Sequence, residues 1–315
     1  MNVKSFLSLV EIRTKVASQL PLFIGTSYAL YKFNTFSIRS FILFFISLLF
    51  IDMTTTALNH FYDFKKAKKQ YGYNYDIHNP INNYELSDKT VISVIITLLI
   101  IAIISGIFLF LNTDLLVLIL GGLSFFVGIT YSFGPVPISR TPLGEVFSGF
   151  FMGFIIFFIA VHIHLADGQK IISVVLNNYN VVLEIDIIRL IKIFMVSLPL
   201  VLGISNIMLA NNISDIEDDK KNDRYTLPIY IGKKRSLTLF KFLYFAVYID
   251  ILLLTLFNII PIISLIVILT FLPVYQNINR FMEKQSKKST FHVSIKNFLW
   301  LNLAYLSSFI IYFIF

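Results

Sequence analysis

The chain has 315 residues, 57% of them hydrophobic and only 14% charged, with a mean hydropathy of +0.78 and a net charge of +8. Soluble domains carry roughly a quarter charged residues, so this composition excludes a water-soluble globular protein and points to an all-α polytopic membrane protein. The lack of cysteine excludes disulfides and thiolate chemistry, and nucleic acid is a poor partner because the basic residues are spread over membrane-edge loops.

Residues 6–18 mix apolar and basic side chains and predict a segment at the membrane interface. Apolar runs near the ~20 residues that cross a bilayer follow at about 16–33 and 38–60. A long polar loop, 61–88, then carries Lys65, Lys66, Lys68 and Lys69, the run Tyr71-Gly-Tyr-Asn-Tyr75, and Asn79-Pro80-Ile81. Further spans are predicted at 88–111, 114–133, 143–166 and 190–212. The loop 214–235 brings acids, then Lys220, Lys221 and Arg224, then Thr226-Leu227-Pro228. Spans at 236–257, 259–276 and 297–314 complete a set of nine. No polar stretch suffices for a separate soluble domain, so residues 1–315 are expected to form one integral membrane domain without a removable leader.

Nine spans put the N-terminus on the same side as the loops that follow spans two, four, six and eight. That side holds 21 of the 26 Lys and Arg; the other holds Lys32, Arg39, Lys170, Arg189 and Lys192. The positive-inside rule orients the rich side to the cytoplasm of the plasma membrane.

Two polar motifs stand where long apolar runs meet basic loops: Asn59-x-x-x-Asp63, and 152 residues later Asn211-x-x-x-Asp215-x-x-x-Asp219. The offset makes spans one to four and five to eight two divergent four-helix copies, with the ninth added, and repeats of this kind place a site at their interface. Residues four apart share a helix face, so Asp215 and Asp219 are predicted to point into one space, with Asn211 a turn deeper. Acids at a helix C-terminus oppose its dipole and call for positive charge. Mg2+ suits them, because it takes oxygen ligands and is held by one or two carboxylates plus substrate phosphates. Asn59, Asp63, Asp215 and Asp219 are the expected metal-holding residues for a diphosphate at the membrane surface. Asp52, seven residues before Asn59, lies on its face; Glu145 opens a span, where an acid suits the helix N-terminus; Asp250 has no evident partner. His162-x-His164 has the wrong spacing for one helix face, and Gly232-Lys-Lys-Arg-Ser236 lacks the upstream glycine of a P-loop. Of the aromatic residues able to stabilise a carbocation through a ring face, Tyr131 at the end of the fourth span is the best placed.

These residues resemble the UbiA superfamily of intramembrane prenyltransferases. Asn59-His-Phe-Tyr-Asp63-Phe-Lys-Lys66 is similar to its first motif, and Asn211-Asn-Ile-Ser-Asp215-Ile-Glu-Asp-Asp219-Lys-Lys-Asn-Asp-Arg224-Tyr-Thr226-Leu to its second, in the form typical of the 1,4-dihydroxy-2-naphthoate branch of menaquinone biosynthesis. Glu11-Ile-Arg13-Thr-Lys15, Tyr131-Ser-Phe-Gly-Pro135 and Pro142-Leu-Gly144-Glu145 agree with it, whereas His60 and Asn79 stand where the family has Asp and Arg. The resemblance implies a nine-helix bundle and Mg2+-dependent transfer of a polyprenyl group from a prenyl diphosphate to an aromatic acceptor. In the naphthoate branch CO2 is lost and demethylmenaquinone results. It implies catalytic roles for Asn59, Asp63, Asn211, Asp215, Asp219 and Tyr131, and substrate contacts for Arg13, Lys15, Lys66, Asn212, Lys220 and Arg224. A sister enzyme acting on 4-hydroxybenzoate, homogentisate, haem or a glycerol phosphate stays open at this point, as does an ion-coupled transporter.

Overall fold

A computed structural model describes residues 1–66, 79–132, 134, 137–177 and 180–315. The Tyr71–Tyr75 run and Lys68 and Lys69 lie outside the described residues, as do Phe133 and Pro135 and the side chains of Arg13, Asp63 and Lys66.

In chain order the helices are α1 (Val3–Leu9), α2 (Lys15–Phe33), α3 (Ile38–Lys66), α4 (Pro80–Asn83), α5 (Asp88–Leu111), α6 (Leu115–Ser132), α7 (Gly144–Ser148), a π-helical turn (Gly149–Ile155) and α8 (Ile156–His162). After strands β1 (Ile172–Asn177) and β2 (Asn180–Ile185) come α9 (Ile187–Ser214), α10 (Ile216–Lys221), α11 (Leu227–Ile231), α12 (Lys233–Leu256), a 3-10 segment (Ile262–Thr270), α13 (Phe271–Glu283) and α14 (His292–Ile314). Among the described residues seven helical stretches are long and apolar enough to cross a membrane. They match predicted spans two, three and five to nine. The remaining two predicted spans correspond to α2 and to the shorter apolar helix Leu115–Tyr131.

The β1–β2 hairpin was not anticipated. It pairs antiparallel, Ile172 opposite Ile185 through Asn177 opposite Asn180. Its β-branched runs, Ile-Ser-Val-Val and Val-Val-Leu-Glu-Ile, carry a strand signal.

The chain resolves into two compact units, one of residues 1–19 and 38–129, the other of 20–37 and 130–315. In the first, α3 packs on α5. Gly106 lets Ser47 approach so closely that an added Cβ would lie 3.3 Å from its Oγ, and that hydroxyl donates to the Ala102 carbonyl at 3.0 Å. Such small-residue contacts drive helix association where lipid removes the hydrophobic incentive. At one end Leu9, Ala57, Ile81, Val91 and Ile95 form a buried cluster. Asn79 caps α4 through the Ile81 amide (3.0 Å) while its amide group donates to the His60 carbonyl (2.9 Å).

In the second unit α9 is the central helix, touching the π-turn, α7, α12 and α14. Gly149 and Gly153 allow the closest approach: an added Cβ would stand 2.1 Å from Ser205 Oγ at the first and 2.6 Å from Val201 Cα at the second. The core is aromatic, with Phe240 against Phe281 and Tyr244 at ring separations of 4.7 and 5.1 Å. Asn277 donates to Asn297 at 2.8 Å and Ser264 meets Ser308 at 3.0 Å, satisfying polar groups where water is scarce.

Candidate active site

The second motif lies at a helix break rather than along one continuous helix. The α9 helix ends at Ser214, and Asp215, with φ −106 and ψ 4, sits between it and α10. This corrects the expected electrostatics: Glu217, Asp218 and Asp219 occupy the first turn of a new helix and Lys220 and Lys221 its last, the favourable sense of the dipole at both ends. The spacing still keeps Asp215 and Asp219 one turn apart, because the Asp219 amide donates to the Asp215 carbonyl at 2.7 Å.

Beyond α10 the chain reverses through Asp223, in the left-handed region at φ 53, and folds back on Asp219. Asp219 is only 2% exposed, and a carboxylate so buried requires partners. Its Oδ1 lies 3.4 Å from Arg224 Nε, and its Oδ2 accepts from the buried Thr226 hydroxyl at 3.2 Å. The Arg224 guanidinium also donates to the Ser139 carbonyl, and the Tyr225 amide to the Arg140 carbonyl at 3.0 Å, tying this turn to the segment before α7. Burial pushes the Asp219 carboxyl above its ordinary value, and the neighbouring Arg224 works against that rise. Asp215 is likewise raised by burial and opposed by Lys287, whose ammonium forms an ion pair with its Oδ2. Lys287 was missed by sequence reasoning. It follows Asp215 by 72 residues, and only its place in a basic loop marked it.

Deeper along α9, the Asn212 amide donates to Glu145 Oε1 at 2.8 Å, and Ser205 Oγ donates to the Glu145 carbonyl at 2.9 Å. Glu145 is in the first turn of α7, where an acid was expected to suit the helix N-terminus. Its Oε2 and Asn212 Oδ1 are buried with no hydrogen-bond partner among the described residues. Tyr131 donates from its hydroxyl to the Gly144 carbonyl at 3.4 Å. Asn211 is half-buried in the last turn of α9, and Lys220 is exposed. The structure thus gathers Asp215, Asp219 and Arg224 at the α9–α10 junction, and puts Asn212 on Glu145.

In the other unit, Asn59 is half-buried on α3 and the backbone of Asp63 continues that helix one turn on. Lys15 is only 4% exposed; its ammonium donates to Asp52 Oδ1 (2.9 Å), the Asp52 carbonyl (3.3 Å) and Thr56 Oγ1 (2.6 Å). His60 Nε2 stands 3.2 Å from Glu11 Oε1, and that contact lowers the Glu11 pKa against the opposing effect of burial. The residue that departs from the family pattern therefore has a partner of its own.

Among the described residues no three His, Asp or Glu side chains gather as a metal cluster. The donor set still fits Mg2+. Asp215 and Asp219 offer hard oxygen atoms, each facing a cationic side chain, and two orphaned acceptor oxygens belong to Asn212, three residues before Asp215, and to its partner Glu145. A site with two carboxylates leaves the other positions to phosphate oxygens and water.

A 1,4-dihydroxy-2-naphthoate octaprenyltransferase of Bacillus subtilis (strain 168) is 29% identical over 231 residues, covering 73% of this chain and 67% of that protein. A UbiA homolog from Aeropyrum pernix K1, solved in apo form, matches with a TM-score of 0.68 at 15% identity over 96% of this chain and 99% of that one. A UbiA homolog from Archaeoglobus fulgidus bound to GPP and Mg2+ matches at 0.62 and 16% identity over 98% of each. These likenesses show the same helical fold, and the UbiA prenyltransferase family model itself matches residues 19–303. With that match spanning both motifs and all but the ends of the chain, this membrane protein belongs to the UbiA prenyltransferase family.

Proposed function

We propose that the chain transfers a polyprenyl group from a prenyl diphosphate to 1,4-dihydroxy-2-naphthoate, with loss of CO2. The observation that carries this reading is the α9–α10 junction, where Asp215 and Asp219 are held one turn apart and flanked by Arg224 and Lys287. The naphthoate acceptor is supported by the 29% identical relative and by the form of the second motif. The proposed domain is residues 1–315, with the N-terminus and the motif-bearing loops on the cytoplasmic side of the plasma membrane.

In this mechanism Asp215 and Asp219 at the second motif, and Asn59 and Asp63 at the first, would hold Mg2+, which would supply neutralising charge to the diphosphate. Arg224 and Lys220 bind diphosphate oxygens, Arg224 through its planar fork of donors. The allylic C–O bond breaks and diphosphate leaves with the electron pair. The ring carbon bearing the carboxylate attacks the allylic cation, and the C–C bond to the carboxylate then breaks. CO2 departs and its electron pair restores the aromatic ring, giving the quinol form of demethylmenaquinone. Arg13, Lys15 and Lys66 are the candidates for the acceptor carboxylate or outer phosphate oxygens, Asn211 is a candidate catalytic residue and Asn212 a substrate contact, and Tyr131 offers a ring face to the cation.

The test is mass spectrometry of the product formed by the purified protein from 1,4-dihydroxy-2-naphthoate and a long prenyl diphosphate with Mg2+. A prenylated product lacking the carboxylate is expected. A product that keeps it, or transfer only to 4-hydroxybenzoate, homogentisate, haem or a glycerol phosphate, overturns the naphthoate assignment. Asp63→Ala and Asp215→Ala are expected to abolish transfer; full activity in both removes the site assignment.

A further inference from the structure

Asp215 is held by a side chain outside its own motif. Lys287 lies between α13 and α14, in a loop closed by its own hydrogen bonds. The Ser286 amide donates to Thr290 Oγ1 at 2.9 Å, that hydroxyl donates to the Lys284 carbonyl at 2.7 Å, and the Thr290 and Phe291 amides both donate to the Ser286 carbonyl at 2.9 Å. Gln285 fastens the loop to the end of α13 through the Phe281 and Met282 carbonyls, at 2.6 and 2.8 Å. The loop is thus built to present Lys287, whose side chain is 20% exposed where it meets Asp215 at 10%.

A half-buried lysine on a carboxylate is an ordinary ion pair in most settings. Here the carboxylate is the one that the proposed reaction assigns to Mg2+. Lys287 faces one oxygen of that carboxylate, and an ammonium and a divalent cation held on the same carboxylate repel at short range, so each weakens the other's hold. Asp219 differs: Arg224 Nε stands 3.4 Å from its Oδ1 with no hydrogen bond made, a looser contact that leaves that oxygen open to a cation, while the guanidinium also reaches the Ser139 carbonyl. Among the described residues Lys287 has no second anchor of that kind, and its flexible stem lets the ammonium move while the loop stays.

We propose that Lys287 and a divalent cation compete for Asp215, and that the displaced ammonium binds the diphosphate, making Lys287 a substrate-binding residue of the site. This rests on the carboxylate reading given under the proposed function. Lys287 keeps Asp215 neutralised and correctly placed before substrate arrives. It then adds a point charge to the leaving group, a role for which lysine is well suited.

The experiment uses the full chain in detergent, with Mn2+ alone as the metal probe, its free concentration read by electron paramagnetic resonance. Lys287→Met keeps the stem and removes the charge. It is expected to bind Mn2+ more tightly, on the order of tenfold, while KM for the prenyl diphosphate rises by a similar factor and kcat changes less. Lys287→Arg is expected to restore most of the KM. A purely structural lysine predicts the opposite sign, weaker Mn2+ binding as the loop loosens. Unchanged or weaker Mn2+ binding in Lys287→Met, with a folded protein by size-exclusion chromatography, overturns the proposal. If Lys287→Met does not fold, Lys287→Arg decides: it must bind Mn2+ no more tightly than the parent and keep its KM within a few-fold, and tighter binding with a lost KM overturns the idea. Asp215→Asn separates the two levels. If that variant is fully active, the carboxylate reading itself falls; if it is inactive while Lys287→Met keeps parental Mn2+ affinity and KM, only the role of Lys287 falls.

Discussion

Asp219→Asn distinguishes a carboxylate that serves the chemistry from one that merely holds a turn. The substitution keeps the shape of the side chain and removes its charge. Asp219 Oδ1 is 3.4 Å from Arg224 Nε; at an effective dielectric of ~20, two unit charges at that separation attract by about 5 kcal/mol. Two effects reduce this. The Arg224 side chain is 29% exposed and keeps part of its hydration, and the ionised carboxylate carries a desolvation penalty that the neutral amide avoids. The Thr226 hydroxyl still finds an acceptor in the amide oxygen. Because burial outweighs the attraction and raises the carboxyl above its ordinary value, the net change in folding stability at neutral pH is small, about 1 kcal/mol or less, a shift of at most a few degrees in thermal unfolding. The proposed metal–diphosphate role predicts a far larger effect on chemistry, a fall in kcat/KM of roughly 100-fold or more. Thermal unfolding in detergent and a radiolabelled prenyl-transfer assay measure the two quantities on one preparation. Thr226→Val is the control: it removes the 3.2 Å hydrogen bond, costs about 1–2 kcal/mol, and leaves most activity. If Asp219→Asn and Thr226→Val lose stability and activity in the same proportion, Asp219 is a structural residue and the reasoning fails.

Three further outcomes are expected. Lys15→Met strands the Asp52 carboxylate inside the first unit and is expected to destabilise by about 3–5 kcal/mol, whereas Lys15→Met combined with Asp52→Leu recovers most of that; simple additivity of the two changes in denaturation midpoints would refute the pairing. Glu145→Leu leaves the Asn212 amide without its 2.8 Å acceptor and is expected to cost about 1–3 kcal/mol, while Glu145→Gln, which still offers an oxygen, costs less; equal losses would show that the contact contributes nothing. Burial raises Asp215 and Asp219 above the ordinary value of 3.8, so the folded chain binds protons there more readily than the unfolded chain. Their contribution to stability is then greatest at acidic pH and is lost as pH rises through the raised values. Mg2+ needs the ionised form, so its apparent affinity falls on acidification through that same window, above 3.8; affinity that holds steady down to the ordinary carboxylate range would count against these ligands.

Much of this was legible because polar residues in a membrane chain are expensive and therefore conspicuous. Asn59, Asp63, Asn211, Asp215 and Asp219 stood out at the ends of apolar runs, and Glu145 at the start of another. The spans themselves followed from length and hydropathy, and among the described residues seven helices meet both criteria. Three features were hidden for physical reasons. Lys287 and Asp215 are joined only by tertiary structure, and sequence spacing carries no sign of such a pair. The break at Asp215 lies within an unbroken run of helix-compatible residues, with neither glycine nor proline to mark it. Lys15 stood out as a candidate substrate contact, but its pairing with Asp52 did not, because the two are joined across helices and sequence spacing carries no sign of it.

The two glycines of the π-turn bear on where the second motif stands relative to the bilayer. At Gly149 and Gly153 the backbone meets α9 with no room for even a methyl group, so α9 cannot slide past its neighbour without a collision. One helical turn is about 5.4 Å, enough to carry Asn212 away from Glu145 and to draw Asp215 into the hydrocarbon. The contact at Val201 and Ser205 works as a stop: two missing side chains fix the height of α9 against its neighbour, and with it the place of the carboxylates at its end.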